Sequence, residues 1–137
     1  MGETEEAIKD YSECIRINPE SSNAHNNRGL IYGRLEKFES ALGDLDEAIR
    51  LFPEYSAAFN NRGVTRYNSG DLEGVIKDYG KAILIDPEDP EIYHNRGVAY
   101  RSLGNSAMAE NDFSRAAKLG LDTERIRDGK SYESETE

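Results

Sequence analysis

The tripeptide Asn-Arg-Gly occurs three times, as Asn27-Arg28-Gly29, Asn61-Arg62-Gly63 and Asn95-Arg96-Gly97, at a constant spacing of 34 residues. Pro19, Pro53 and Pro87 keep the same step, as do Ala7, Ala41, Val75 and Ala109, and likewise Cys14, Ala48, Ala82 and Ala116. Four columns in one register restrict the chain to a tandem array in which each unit buries its apolar face on its neighbours. Composition does not decide the matter. Leu, Ile, Val and Phe supply 27 of the 137 residues, just under the roughly 20% below which a highly charged chain is suspected of disorder. The 12 Ala and 8 Tyr, many of them in the same columns, add to the stock that can be buried.

Each period predicts two helices. Ser22 or Asn23 can cap the first, which runs toward Arg34 and stops at Leu35-Glu36-Lys37. The later breaks, Ser69-Gly70-Asp71 and Leu103-Gly104-Asn105, offer glycines suited to a left-handed C-cap. The second helix carries Phe38, Ala41, Leu42, Leu45, Ala48, Ile49 and Phe52 on one stripe. Pro53 and Pro87 stop the second helices, and Asp89-Pro90-Glu91 supplies a cap and a proline at the first helical position. Gly29, Gly63 and Gly97 fall in mid-helix, where glycine costs about 1 kcal/mol relative to alanine. The expected compensation is close backbone approach to Ala41, Val75 and Ala109. Arg28, Arg62 and Arg96 precede these glycines, and we expect their stems to lie along the hairpin with their heads on nearby carboxylates.

At this point the residues resemble the tetratricopeptide repeat family. Its pattern is met by Gly29, Tyr32, Ala41, Leu45, Ala48 and Pro53, then by Phe59, Gly63, Tyr79, Ala82 and Pro87, then by Tyr93, Gly97, Tyr100, Ala109, Phe113 and Ala116. His25 departs from the leading aromatic, Arg66 from the tyrosine, Val75 from the alanine and Leu121 from the closing proline. The resemblance implies an all-α, right-handed superhelical solenoid of antiparallel helix hairpins over residues 1–121. The expected divisions are a half repeat over 1–21 containing the second helix alone, and repeats over 22–55, 56–89 and 90–121. A short capping helix is expected over 122–130 and an acidic, disordered tail over 131–137.

The charge narrows the partners. With 17 Lys and Arg against 27 Asp and Glu the chain carries −10, and its cations are scattered, so neither nucleic acid nor an anionic membrane surface is expected. Basic or neutral protein partners are. No stretch approaches the ~18 apolar residues of a membrane span, and Cys14 is the only cysteine, which excludes an intramolecular disulfide and a cysteine-based zinc site. A cytoplasmic location is the expectation. No G-x-S-x-G, H-E-x-x-H, P-loop or dinucleotide fingerprint occurs, and His25 and His94 lie two repeats apart. We expect no catalytic residues, no metal and no cofactor.

Asparagine on the first helices is the sharper signal. Asn26-Asn27, Asn60-Asn61 and His94-Asn95 recur at one helical position, although Asn is a mediocre helix former. In the family these positions line the concave groove. An Asn amide offers a donor and an acceptor, which suits the backbone of an extended peptide; the alternative is hydrogen bonding to neighbouring repeats. The groove would add Leu30, Val64 and Val98 as an apolar strip, with Arg34, Tyr67, Asn68 and Arg101 alongside. Backbone-reading amides contribute roughly 0.5–1.5 kcal/mol each against an association cost of about 4–15 kcal/mol, so other groove contacts must supply the rest. The subclass that grips acidic chaperone C-termini does not fit: Asn61 matches it, but Asn26, Leu30, Glu91 and Asn95 stand at its other clamp positions. The expected function is therefore a non-enzymatic scaffold that binds an extended peptide or a partner helix. Self-association through the unpartnered helix over residues 1–18 is one alternative. A regulatory repeat fragment of a larger protein is the other.

Overall fold

The computed structural model describes residues 2–120, and these contain seven helices and no strand. They are α1 (Glu3–Ile17), α2 (Ser22–Arg34), α3 (Phe38–Leu51), α4 (Ser56–Ser69), α5 (Val75–Ile85), α6 (Pro90–Ser102) and α7 (Ser106–Lys118). The capping helix expected over 122–130, the tail over 131–137 and Leu121 lie outside the described residues. Helices α2 and α3, α4 and α5, and α6 and α7 pair as hairpins, and α1, α3 and α5 each pack on the helix that follows. The first helices also touch directly, α2 on α4 and α4 on α6, whereas the second helices make no comparable contact with one another. That asymmetry curves a helical solenoid with α2, α4 and α6 inside.

The breaks obey local chemistry. Gly70 and Gly104 end the first helices at φ +87° and +80°, as the sequence predicts, but in the first repeat Glu36 takes this left-handed conformation at φ +59°. Asp89 accepts from the Glu91 N–H at 3.0 Å, with Pro90 opening α6. The cap of α2 is Ser21, not Ser22 or Asn23, and its hydroxyl accepts from the Ala24 N–H at 3.2 Å. Phe52 also departs from expectation: it ends α3 half exposed, its ring 5.5 Å from that of Tyr55.

The small-residue columns are buried. Ala41, Ala48, Val75, Ala82 and Ala116 are inaccessible to solvent. In the second and third repeats, however, the glycines face a different column from the one expected. A side chain at Gly63 would lie 2.6 Å from Tyr79 Cε1, and one at Gly97 2.7 Å from Phe113 Cε1. At Gly29 the nearest atom is Leu45 Cγ at 3.0 Å, followed by the Ala41 carbonyl at 3.2 Å. Thus each glycine is a seat for the large residue four positions beyond the small one. Ring burial offsets the helix-propensity cost in the second and third repeats.

The arginines behave as the sequence predicts. Arg28 holds Asp44 through two hydrogen bonds of 2.7 Å, and Arg96 holds Asp112 through two of 2.8 Å. Arg62 reaches Asp78 with Nη2 at 2.8 Å, and Arg66, which departs from the family tyrosine, adds a further bond to Asp78 at 2.7 Å. All three aspartates are buried. The seam also reaches backward: Arg28 donates to Ser12 at 3.1 Å and Arg62 to Asp46 at 2.9 Å. Gly80 occupies that register before Arg96 and offers no acceptor. At the family's leading aromatic position, the Tyr93 hydroxyl donates to the Pro87 carbonyl at 2.9 Å, and His25 Nε2 donates to the Pro19 carbonyl at 3.0 Å. His25 replaces the aromatic ring and also the tyrosine's tether.

Candidate functional site

The concave face is made by one side of α2, α4 and α6, and its asparagines join adjacent repeats. Asn61 Nδ2 donates to Asn26 Oδ1 at 3.0 Å, and Asn95 Nδ2 donates to Asn60 Oδ1 at 3.1 Å. Asn26 is buried and donates in turn to the Tyr55 hydroxyl at 3.2 Å, which donates to Asn23 at 2.7 Å. So each amide in the Asn61 and Asn95 column spends one N–H on the preceding repeat. Its carbonyl oxygen and second N–H are left.

Between the second and third repeats the face deepens into a cavity of about 230 Å³ lined by Val64, Tyr67, Asn68, Tyr79, His94, Asn95 and Val98. Six of these are groove residues expected from sequence. Tyr79 is not: it comes from α5, and a column reading assigns it to the core. Of the remaining expected residues, Asn27 and Leu30 are half-buried on α2 and Arg34 is exposed at its end. Asn26, Asn60 and Asn61 belong to the repeat-joining network. Arg101 lies with its guanidinium carbon 5.2 Å from the Phe113 ring centroid. The cavity rim is tied across repeats by the Tyr67 and Ser102 hydroxyls, 2.6 Å apart.

Electrostatics differ within the cavity. Burial first, and the Arg101 charge second, lower the pKa of His94 below its ordinary value. Its Nδ1 is buried without a hydrogen-bond partner, and its ring tilts against Phe113 at 5.5 Å. Burial first, then the charges of Asp78, Tyr67 and Glu91, push the Tyr79 phenol well up, so it stays protonated. Glu91, one turn before Asn95, has its carboxyl raised by loss of solvent and then by Asp89.

A larger hollow of about 510 Å³ lies against α5, lined by Phe59, Arg62, Lys77, Asp78, Gly80, Lys81 and Leu84. Its arginine and aspartate are spent on one another, and it holds no buried polar atom without a partner. Lys77 and Lys81 stand exposed at its edge. Among the described residues no group of three or more His, Cys, Asp and Glu could hold a metal ion. No helix there is long and apolar enough to cross a membrane.

Comparison with known proteins agrees with this architecture. The family pattern described as TPR repeat matches residues 1–36 and 65–104, and those described as tetratricopeptide repeat match residues 22–55 and 90–119. No curated protein sequence matches the chain significantly. Among solved structures it is similar to a crystal structure of MamA, at 24% identity and a TM-score of 0.79, with 93% of this chain and 72% of that one covered. It is also similar to MamA from residue 41 onward from Desulfovibrio magneticus RS-1, at 20% identity and a TM-score of 0.78, with coverage of 93% and 70%. At these identities the likeness concerns the fold. The 34-residue columns, the stacked hairpins and a family pattern matched over more than half of the sequence have one reading: the chain belongs to the tetratricopeptide repeat family, whose arrays serve as protein-interaction scaffolds.

Proposed function

We propose that this protein is a non-enzymatic scaffold that holds an extended peptide along the concave face of α2, α4 and α6. The observation that carries the reading is the 230 Å³ cavity, which gathers apolar walls from Val64 and Val98 and polar groups from Asn68, His94 and Asn95 in one place. Concave, mostly apolar sites with a few convergent polar groups are the usual form of a binding site. The Asn ladder is the weaker part of the design, because Asn61 and Asn95 already bond between repeats. Affinity rests mainly on the cavity, and at this size micromolar binding is expected, on the order of −8 kcal/mol. The net charge of −10 directs the groove toward basic or neutral sequences, and a cytoplasmic setting accords with a single cysteine. The test is a peptide-library screen on wild type and on Val98→Asn, which removes the apolar wall without adding charge. Binding should fall at least about tenfold in the variant, with helicity unchanged by circular dichroism; equal binding by both would remove the cavity from the function.

One observation favours a second reading. On α1, Ala7, Tyr11 and Cys14 occupy the registers of Ala41, Leu45 and Ala48, which are fully buried, yet α1 buries none of its residues and Cys14 is exposed. Pairing of this face with a second copy would cover it. Light scattering over a concentration series decides, since a monomer throughout eliminates self-association.

A further inference from the structure

Tyr79 shares its register with Leu45 and Phe113. All three are large residues seated on a glycine, and in the third repeat a plain phenyl ring fills that seat. The Tyr79 hydroxyl therefore adds nothing to hairpin packing. The residue is 2% exposed, and its hydroxyl has no hydrogen-bond partner among the described residues, yet it is not among the polar atoms sealed from solvent. It lines the groove cavity, so that cavity is its outlet. Water can meet a hydroxyl that opens into the cavity, and a polar group of a ligand would take that water's place.

The surroundings define which ligand. Val64 and Val98 offer walls for a hydrocarbon stem. Beyond them stand acceptors: the phenol oxygen and the Asn95 carbonyl oxygen, whose amide nitrogen is already committed to Asn60. The charges that act on Tyr79 are Asp78, Tyr67 and Glu91, none of them cationic. Arg101 acts instead on His94, from above the Phe113 ring. We infer that the cavity between the second and third repeats takes a basic side chain of the bound peptide, lysine or arginine, and that Tyr79 is the residue that reads its charged head. The stem lies between Val64 and Val98 and the head donates to the Tyr79 and Asn95 oxygens, while Glu91, whose charge acts on Tyr79, favours a cation there. This inference rests on the groove reading above and goes further, because it assigns one side-chain class to one seat.

The probe is a pool of short peptides with one fixed central residue, chosen from lysine, arginine, norleucine, glutamine and glutamate. Norleucine matters most, since it keeps the unbranched stem and lacks the charge. Wild type should enrich lysine or arginine over norleucine by about tenfold, the equivalent of one hydrogen bond to a charged group. Tyr79→Phe should abolish that preference while norleucine pools bind as before. Its melting temperature should be unchanged or higher, which separates ligand reading from a structural role. Glu91→Gln should lower the preference partway. If peptides bind without basic preference, or if the preference survives in Tyr79→Phe, this inference is overturned and the groove reading stands. If no pool binds wild type, the groove reading fails and takes this one with it.

Discussion

The seam inside each hairpin and the concave face between hairpins are both polar, but they are built to different rules. At the seam the same pair recurs, Arg28 with Asp44, Arg62 with Asp78 and Arg96 with Asp112, each with the carboxylate buried. On the concave face the corresponding positions drift, from Asn26 to Asn60 to His94 and from Leu30 to Val64 to Val98. A contact that every hairpin needs in order to close leaves no room for variation. A face that meets a ligand, or the next repeat, can differ from unit to unit. Constancy marks the scaffold and drift marks the site.

The comparison is broken most severely at the seam. Arg96→Met leaves Asp112 buried with its bidentate partner gone, and removing one member of a buried ion pair costs about 3–5 kcal/mol. Arg62→Met should cost less, about 1–3 kcal/mol, because Arg66 still donates to Asp78 at 2.7 Å. Urea denaturation of the two variants measures the difference. Equal losses would mean that Arg66 does not share the load, and an unchanged midpoint for Arg96→Met would remove the seam from the account of stability.

The hairpin architecture was legible because its constraints fall in columns: proline stops the second helices, and glycine and alanine mark the tight crossings. The arginine seam was half legible. Asp44, Asp78 and Asp112 keep the 34-residue step and each follows its arginine by 16 positions, so the acidic half could have been found by pairing columns across a hairpin. The asparagine contacts were harder to see, because Asn26 to Asn61 and Asn60 to Asn95 span 35 residues. They join two different columns, which a search at a single period keeps apart. Tyr79 was hidden for another reason: as a large residue in a core column it reads as packing, and the sole signal is a hydroxyl where its counterparts are hydrocarbon.

Glycines sharpen the contrast between packed and open positions. Gly63→Ala places a methyl group 2.6 Å from Tyr79 Cε1, inside any tolerable contact, and overpacking of this kind costs about 1–3 kcal/mol. Gly80 stands on helix α5 with nothing within 4 Å of where its side chain would go, so Gly80→Ala should stabilise by about 0.5–1 kcal/mol through helix propensity alone. Thermal melts of both variants decide. A destabilised Gly80→Ala would mean that the outer hollow is filled by something packed against that helix.

The smallest effect separates the two histidines. His25 belongs to the seam, with Nε2 on the Pro19 carbonyl and Nδ1 3.5 Å from Asp44. His94 belongs to the concave face, with Arg101 for its charged neighbour and Nδ1 unpartnered. A proton on that nitrogen would place a buried N–H with no acceptor, in addition to the burial and the Arg101 charge that lower its pKa. Folded His94 therefore takes up its proton at lower pH than the unfolded chain, whose histidine titrates near 6.5. As pH falls through 6.5 the unfolded state binds the proton first, and stability drops until the folded pKa is passed; above 6.5 the contribution is complete. Urea midpoints measured between pH 8 and pH 5.5 should decline for wild type. His94→Asn, which restores the residue found at positions 26 and 60, should flatten that part of the slope due to this ring. A slope identical in both would place its origin elsewhere than in the ring that replaces asparagine in the third repeat.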